Sequence, residues 1–447
     1  MKGKSNQLSA WTTSVALAGF LFGFDTVVIS GANLPIRELW NTSPLFHGFF
    51  IMSMALWGTV VGALGGGIPT DRYGRKKNLI LIGILYTVSA LGSAVAPDPY
   101  TFSFFRFIGG LGVGASSVTV PTYLSEIAPA GERGRLVARY QFMIVLGILM
   151  AFVSNYMLKG VGGEWDWRLM LGVETIPAVV YLLLVLKVPN SPRWLLIHQN
   201  DPEGARDVLK RIGTPNVDAA VEVIRNSVNK QKSKSLFQRV FTIPITLAFL
   251  MAFFNQMSGI NFILYYAPEI LERSGLGDRA SLLNSIFIGG VNLVFTMIGM
   301  QLVDRVGRRV LMMVGSIGYI ISLSMVTCGF YYGLSPAFLL VFLLIFIASH
   351  AVGQGAVIWV FISEIFPNQV RAAGQSFGAA VHWIFAALIT LVTPVFLDAE
   401  NGIFRDNPWP IFAFFAGCMV LQLLFVLFLM PETKGRSLEE IQDQYVV

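Results

Sequence analysis

Charge is scarce in this sequence. Only 13% of its 447 residues are charged, against the ~25% carried by an ordinary soluble domain. A chain this poor in charge cannot cover a large water-facing surface. Cysteine is scarcer still. Cys328 and Cys418 lie in separate apolar stretches, which excludes a disulfide framework. The four histidines are far apart, with no His-x-x-x-His or Cys-x-x-Cys spacing, so neither a metal site nor any other cofactor is expected. Gly-x-Ser-x-Gly, His-Glu-x-x-His and paired carboxylates within the apolar stretches are also missing. An enzyme of those classes is not expected.

What the sequence has in quantity is apolar residues, 54% of the chain. They come in twelve runs, near 9–33, 47–69, 78–96, 101–122, 136–158, 169–188, 242–270, 281–303, 310–332, 336–362, 372–397 and 409–430. Each approaches or exceeds the ~20 residues needed to span a bilayer. The first is too long for a cleavable signal peptide and continues through the Gly-Phe-Asp segment.

The net charge of +6 does not call for a nucleic-acid partner, because its distribution has a simpler cause. With both termini inside, the inward segments hold 25 Lys/Arg and 14 Asp/Glu, and the outward ones 6 and 10. That is the positive-inside bias. Asp25, Arg106 and Glu174 are left deeper within the runs, with Arg139, Lys187 and Glu269 at run edges counted among the flanking charges.

The chain repeats itself. Asp71-Arg-Tyr-Gly-Arg75 follows the second run and Asp304-Arg-Val-Gly-Arg308 the eighth. Ser125-Glu126-Ile127 with Arg133 follows the fourth, and Ser363-Glu364-Ile365 with Arg371 the tenth. Pro189-Asn-Ser-Pro192 ends the sixth run and Pro431-Glu-Thr-Lys434 the twelfth. Each pair falls on the same side of the membrane, which predicts a duplicated six-span unit in parallel orientation. The expected fold is all-α, with twelve transmembrane helices in two six-helix bundles, 1–188 and 241–447. Residues 189–240 are expected to form short amphipathic helices on the cytoplasmic face.

With these motifs the chain is identified as resembling the sugar porter family of the major facilitator superfamily. Gly23-Phe-Asp25, Arg106 to Gly114, Pro121 to Arg135, Pro189 to Trp194, Gln256-Met-Ser-Gly-Ile-Asn261 and Pro431 to Gly435 carry the resemblance through both halves. Its pattern is nearest that of bacterial proton-coupled xylose and glucose symporters. The resemblance implies symport of a monosaccharide with a proton by alternating access, in a bacterial inner membrane, by a monomer.

Asp25 and Arg106 are charges placed at bilayer depth, where each costs about 2.5–3.5 kcal/mol on insertion scales. They can form a structural salt bridge or a proton site. The resemblance favours the second, since proton symporters of the family carry Asp here and passive facilitators typically Asn. It adds Glu174, expected at the outer start of the sixth run, as an assisting acid. The resemblance also places Gln141, Asn255, Gln256, Asn261, Tyr265, Asn292, Trp359, His382 and Trp383 in a central sugar site. Amides suit a polyhydroxylated ligand because they both donate and accept, and indoles offer flat apolar faces. The bland alternative is helix–helix hydrogen bonding.

Asp71, Arg72, Arg75, Glu126 and Arg133, with Asp304, Arg305, Arg308, Glu364 and Arg371, satisfy the positive-inside bias. By resemblance they also form a cytoplasmic gate. Glycine and proline in runs one, four, seven and ten predict helix breaks at corresponding positions of both halves. The Gly109–Gly114 cluster and Gly58, Gly62 and Gly66 predict close helix packing instead of a nucleotide loop.

Four departures stand out. Asn255 replaces the first Gln of the family's usual pair, and Ala356 replaces a proline, predicting a stiffer tenth span. Asn190 removes a gate charge. His382 stands where Gln or Asn is usual, which bears on sugar selectivity and opens a route to pH dependence. The remaining alternatives are a passive facilitator, or the same fold carrying a polyol or inositol.

Overall fold

In the computed structural model, residues 2–129, 132–228, 235–367 and 369–435 are described. Among them there is no strand. Eleven helical segments are long and apolar enough to cross a membrane: Gln7–Trp40, Arg75–Val95, Pro99–Ile127, Gly134–Leu158, Gly163–Val185, Arg239–Arg273, Asp278–Val306, Arg308–Tyr331, Pro336–Ile365, Arg371–Leu397 and Trp409–Phe428. A bent pair, Pro44–Met52 with Met54–Gly65, makes the twelfth. Numbered along the chain, these are spans 1 to 12, and the bent pair is span 2. A helix satisfies all its backbone groups internally, which lipid demands. The bundle's outer surface is correspondingly apolar, with Leu183, Val314, Phe414 and Phe428 exposed.

Successive spans alternate in direction. All the repeated motifs therefore lie at one end of the bundle, called here the basic end. The other is the opposite end. Short helices Pro192–His198, Pro202–Arg211 and Val217–Val228 follow span 6. Ser191 and Asp201 cap the first two, accepting from the Trp194 and Gly204 N–H groups. Leu195, Leu209 and Val221 share one buried cluster with span 1, and the Arg211 guanidinium lies 4.9 Å from the Trp11 ring centroid.

Two of the four breaks that glycine and proline suggested are missing. Span 1 belongs to one unbroken helix, Lys2–Trp40, and span 4 is unbroken over Pro99–Ile127. Their glycines serve packing instead. A Cβ on Gly23 would stand 1.9 Å from the Ile144 carbonyl oxygen of span 5, and one on Gly110 as close to that of Ala55 in span 2. Gly58, Gly62 and Gly66 likewise face span 4 at Phe107, Leu111 and Ala115.

Spans 7 and 10 do break. In span 7, Gly259 takes φ 84°, a left-handed conformation that glycine adopts freely, with the Phe415 ring where a side chain would go. Tyr266 is also non-helical, ahead of Pro268. In span 10 the helix stops at Val352 and restarts at Gln354. Ala356 therefore does not stiffen this span, because the break needs no proline there. Polar side chains gather beside it. Tyr319 Oη meets His350 Nδ1 at 2.5 Å and donates to Gln354 Oε1 at 3.2 Å. Gln354 donates to Gln422, which donates to Ser316 Oγ at 2.8 Å.

Candidate functional site

Asp25 of span 1 and Arg106 of span 4 are both almost fully buried. One Arg106 nitrogen donates to Asp25 Oδ1, and another donates to the Asp25 backbone oxygen at 3.0 Å. The guanidinium is thereby fixed in orientation as well as position. Glu174 is buried and interacts electrostatically with both partners. It does not lie at the start of span 6 as expected. It sits inside the span, at a turn between helices Asp166–Gly172 and Thr175–Val185. That turn lets a carboxylate reach the interior without straining a helix.

Gly109 completes the setting. A Cβ there would approach Ser89 Oγ to 2.4 Å and Asp25 Oδ1 to 3.5 Å. Tyr265 of span 7 closes the site from the other half. Its side chain lies beside Thr26, and it is an electrostatic neighbour of both Asp25 and Arg106.

The break at Gly259 shapes a second cluster beside the first. Gln256, just before the break, is its hub. Asn261, just after it, donates to Gln256 Oε1 at 2.9 Å. The Gln256 amide nitrogen meets Asn255 Oδ1 at 3.1 Å and the His382 ring nitrogens at 3.1 and 3.2 Å. Because the Gln256 oxygen is used by Asn261, its NH2 group faces His382, whose ring nitrogen accepts. The histidine therefore does here what the amide usual at this position would do.

Trp359 and Trp383 flank His382, with ring centroids 5.1 and 4.8 Å away. Trp383 also packs 5.6 Å from Phe22 of span 1. Trp383 is buried, whereas Trp359 is 39% exposed. Asn292 is buried on span 8 and accepts from Thr296 at 3.4 Å. Gln141 lies half-buried on span 5. Six of the nine predicted contacts thus come together around Gln256 and His382, and Tyr265 follows Asn261 by one turn of the same helix. Asn292 and Gln141 stand on neighbouring spans.

At the basic end the repeat is visible in the bonding. Arg75 grips Glu126 with two nitrogens at 2.9 and 3.0 Å and also reaches Asp71 at 3.0 Å. Arg308 grips Glu364 at 2.7 and 3.1 Å and reaches Asp304 at 3.0 Å. Each turn is made possible by a glycine at positive φ, Gly74 and Gly307. Arg72 and Arg305 point to the exposed surface beside these bridges. Arg371 donates to the Phe366 carbonyl at 3.3 Å. Arg133 opens the span 5 helix, and its side chain lies outside the described residues.

The loss of charge at Asn190 also has a structural counterpart. Glu432 accepts from the Arg308 and Arg309 N–H groups, each at 3.0 Å, capping span 9. In the first half Trp194 covers the equivalent turn, donating to the Asp71 carbonyl at 2.8 Å.

A family model described as "Sugar (and other) transporter" matches residues 11–445. The chain belongs to this sugar transporter family.

Relatives within the family include the arabinose-proton symporter of Bacillus subtilis, 35% identical, covering 97% of this chain and 94% of that one. The D-xylose-proton symporter of Escherichia coli is 32% identical over 98% and 96%. A solved structure of the E. coli xylose transporter, partially occluded and inward open, superposes with a TM-score of 0.85 at 31% identity, covering 97% of this chain and all of that one. The family and these relatives are membrane transporters, not enzymes.

This transporter carries further polar residues that sequence reasoning passed over. Glu269, at the edge of the seventh run, reads from the sequence as an outer charge, yet it is buried within span 7 and accepts from Asn33 at 2.7 Å. Asn33 Oδ1 in turn meets His47 Nε2 at 2.8 Å. A carboxylate, an amide and an imidazole at the edges of apolar runs were the available signal.

Proposed function

We propose that this protein is a proton-coupled symporter of a monosaccharide, working by alternating access. The single observation that carries the reading is that one helix, the part of span 7 after Gly259, contributes to both clusters. Asp25, Arg106 and Glu174 hold one negative charge more than positive, so one proton neutralises them. Tyr265 lies one turn beyond Asn261 on the same helix, Ile260–Arg273, and neighbours Asp25 and Arg106. A ligand that moves span 7 therefore alters the surroundings of the proton site.

The chemistry of the second cluster supports the cargo. Amides and an imidazole offer paired donors and acceptors to hydroxyls, and the indoles offer apolar faces to C–H groups. Relatives named as arabinose, xylose and glucose transporters agree with this. Gln141 and Asn292 are assigned to the same site, contributed by spans 5 and 8 as these approach the ligand.

The charge bias assigns the basic end and both termini to the cytoplasm of a bacterial plasma membrane. Residues 1–188 and 241–447 are the two moving bodies, joined by the 189–240 linker. The paired turns at Arg75 and Arg308, with their surrounding charges, are the cytoplasmic gate. A single copy suffices for this mechanism.

The test is uptake into proteoliposomes across a sugar panel, with and without an imposed inward proton gradient. Accumulation of one sugar only when the gradient is present is the expected outcome. Equilibration without accumulation makes the protein a facilitator. Uptake of a polyol in preference to every sugar would overturn the cargo.

A further inference from the structure

The cytoplasmic gate is built from charges that pair within each half. At the opposite end the pairing is of another kind. Arg37 of span 1 meets Asp398, just beyond span 11, at 2.8 Å and Glu269 of span 7 at 3.6 Å. All three side chains are largely buried, with 16%, 5% and 6% exposed. Each contact joins the first six spans to the last six.

Both carboxylates are held in place by further bonds. Asp398 Oδ1 accepts from the Glu400 and Asn401 N–H groups at 2.9 and 2.8 Å, which leaves Oδ2 for Arg37. Glu269 Oε2 accepts from Asn33, and Asn33 is braced by His47, which meets Thr42 at 2.8 Å.

A second cross-half pair lies nearby. Lys159, at the end of span 5, meets Asp278 at the start of span 8 at 2.9 Å and Asp166 at 3.6 Å. Burial lowers the affinity of the Lys159 ammonium for its proton. Asp278 and Asp166 outweigh it and hold the group above the ordinary lysine range. Lys159 thus stays charged at any physiological pH.

Resting on the alternating-access reading, we infer that Arg37, Glu269 and Asp398 form an outer charge lock, with Lys159 and Asp278 as its second clasp. The lock stabilises the conformation closed to the outside and must part before sugar can enter. Unlike the cytoplasmic gate, it is not duplicated: its cation comes from one half and its anions from the other. Parting it exposes buried charges to water, which repays part of the lost pairing. The lock therefore biases the equilibrium without freezing it.

Ser30 supplies a reporter. It is 95% buried, its hydroxyl has no hydrogen-bond partner, and it lines a cavity of about 220 Å³ with Glu38, Lys159 and Asp278. In a Cys328→Ser, Cys418→Ser background, Ser30→Cys is labelled in right-side-out vesicles with an impermeant methanethiosulfonate. Adding Arg37→Ala or Asp398→Asn should speed labelling at least fivefold, while Arg37→Lys should leave it slow. Equal rates in all four proteins would overturn the inference.

A second arm covers poor folding of those variants. Arg37→Cys with Asp398→Cys is bridged by a short bis-methanethiosulfonate. Uptake should stop on bridging and return with dithiothreitol; transport that continues while bridged also overturns the lock. Labelling needs no sugar. If the background protein moves no sugar while labelling still responds to Arg37→Ala, the cargo reading fails and the lock stands.

Discussion

Arg106 donates to Asp25 twice, once at the carboxylate and once at the backbone carbonyl of the same residue. Only the first of these bonds depends on the carboxylate's charge. When Asp25 takes up a proton the guanidinium loses its charge partner but keeps its carbonyl anchor. The pair is therefore built to weaken without coming apart.

Asp25→Asn should accordingly fold and exchange sugar but fail to concentrate it. One charge moving through 100 mV supplies about 2.3 kcal/mol, roughly a forty-fold gradient at about 1.4 kcal/mol per tenfold. That factor should vanish in the mutant while counterflow persists. Undiminished uphill uptake would show that coupling resides elsewhere. Arg106→Ala is the harsher change, because it strands buried carboxylates at a cost of about 3–5 kcal/mol. A lower melting temperature in detergent measures it.

Gln256 is the hub of the amide cluster, so its loss should exceed that of its neighbours. Gln256→Ala leaves Asn261 and His382 without their shared partner, and an unsatisfied buried group costs about 1–3 kcal/mol. Sugar affinity measured by calorimetry should fall about tenfold or more. His382→Gln preserves an acceptor and should keep affinity within a few-fold. His382→Phe should not, and equal binding by both would detach His382 from the site.

Gly259→Ala tests the break in span 7. The backbone there is left-handed and the Phe415 ring lies 2.8 Å from a Cβ position. The strain alone costs roughly 1–2 kcal/mol. Because Gln256 and Asn261 face each other across this residue, the mutant should lose both thermal stability and sugar affinity. A loss of stability alone would mean that the break does not orient the amides.

Glu432→Gln tests the cap on span 9. Partial burial raises the Glu432 carboxyl, but N–H groups of Lys434, Arg308, Arg309 and Thr433 outweigh it and hold it below the usual range. A carboxylate held low stabilises the fold above its ordinary value, and that contribution is lost as pH falls through the depressed value. The mutant should be less stable at pH 7 by about 0.5–2 kcal/mol, the usual worth of a cap. The gap should close on acidification. A gap that is constant with pH would remove the charge from the explanation.

Much of this architecture was legible in the sequence because lipid punishes exceptions. Twelve runs gave twelve spans, and a charge inside a run, such as Asp25 or Arg106, had to have a partner. The paired turns at Arg75 and Arg308 were legible because their motifs are copied. Glycine was the main source of error. The same residue that lets a helix break at Gly259 lets two helices touch at Gly23 and Gly110, and only the neighbours decide which. Arg37, Glu269 and Asp398 were missed for a different reason. Near the ends of runs they read as ordinary interfacial charges, and their pairing joins segments more than 100 residues apart.

The uneven distribution of helix breaks bears on how such a protein can change over time. Spans 1 and 4 are continuous rods that hold Asp25 and Arg106, while spans 7 and 10 are jointed and hold Asn255, Gln256, Asn261 and one indole. A substitution near a joint is absorbed locally and leaves the rods in register. New cargo preferences can therefore be sampled in one half while the machinery that draws on the proton gradient is inherited intact. Libraries confined to the neighbourhood of Gly259 and Gly353 should yield altered selectivity far more often than uncoupled transporters.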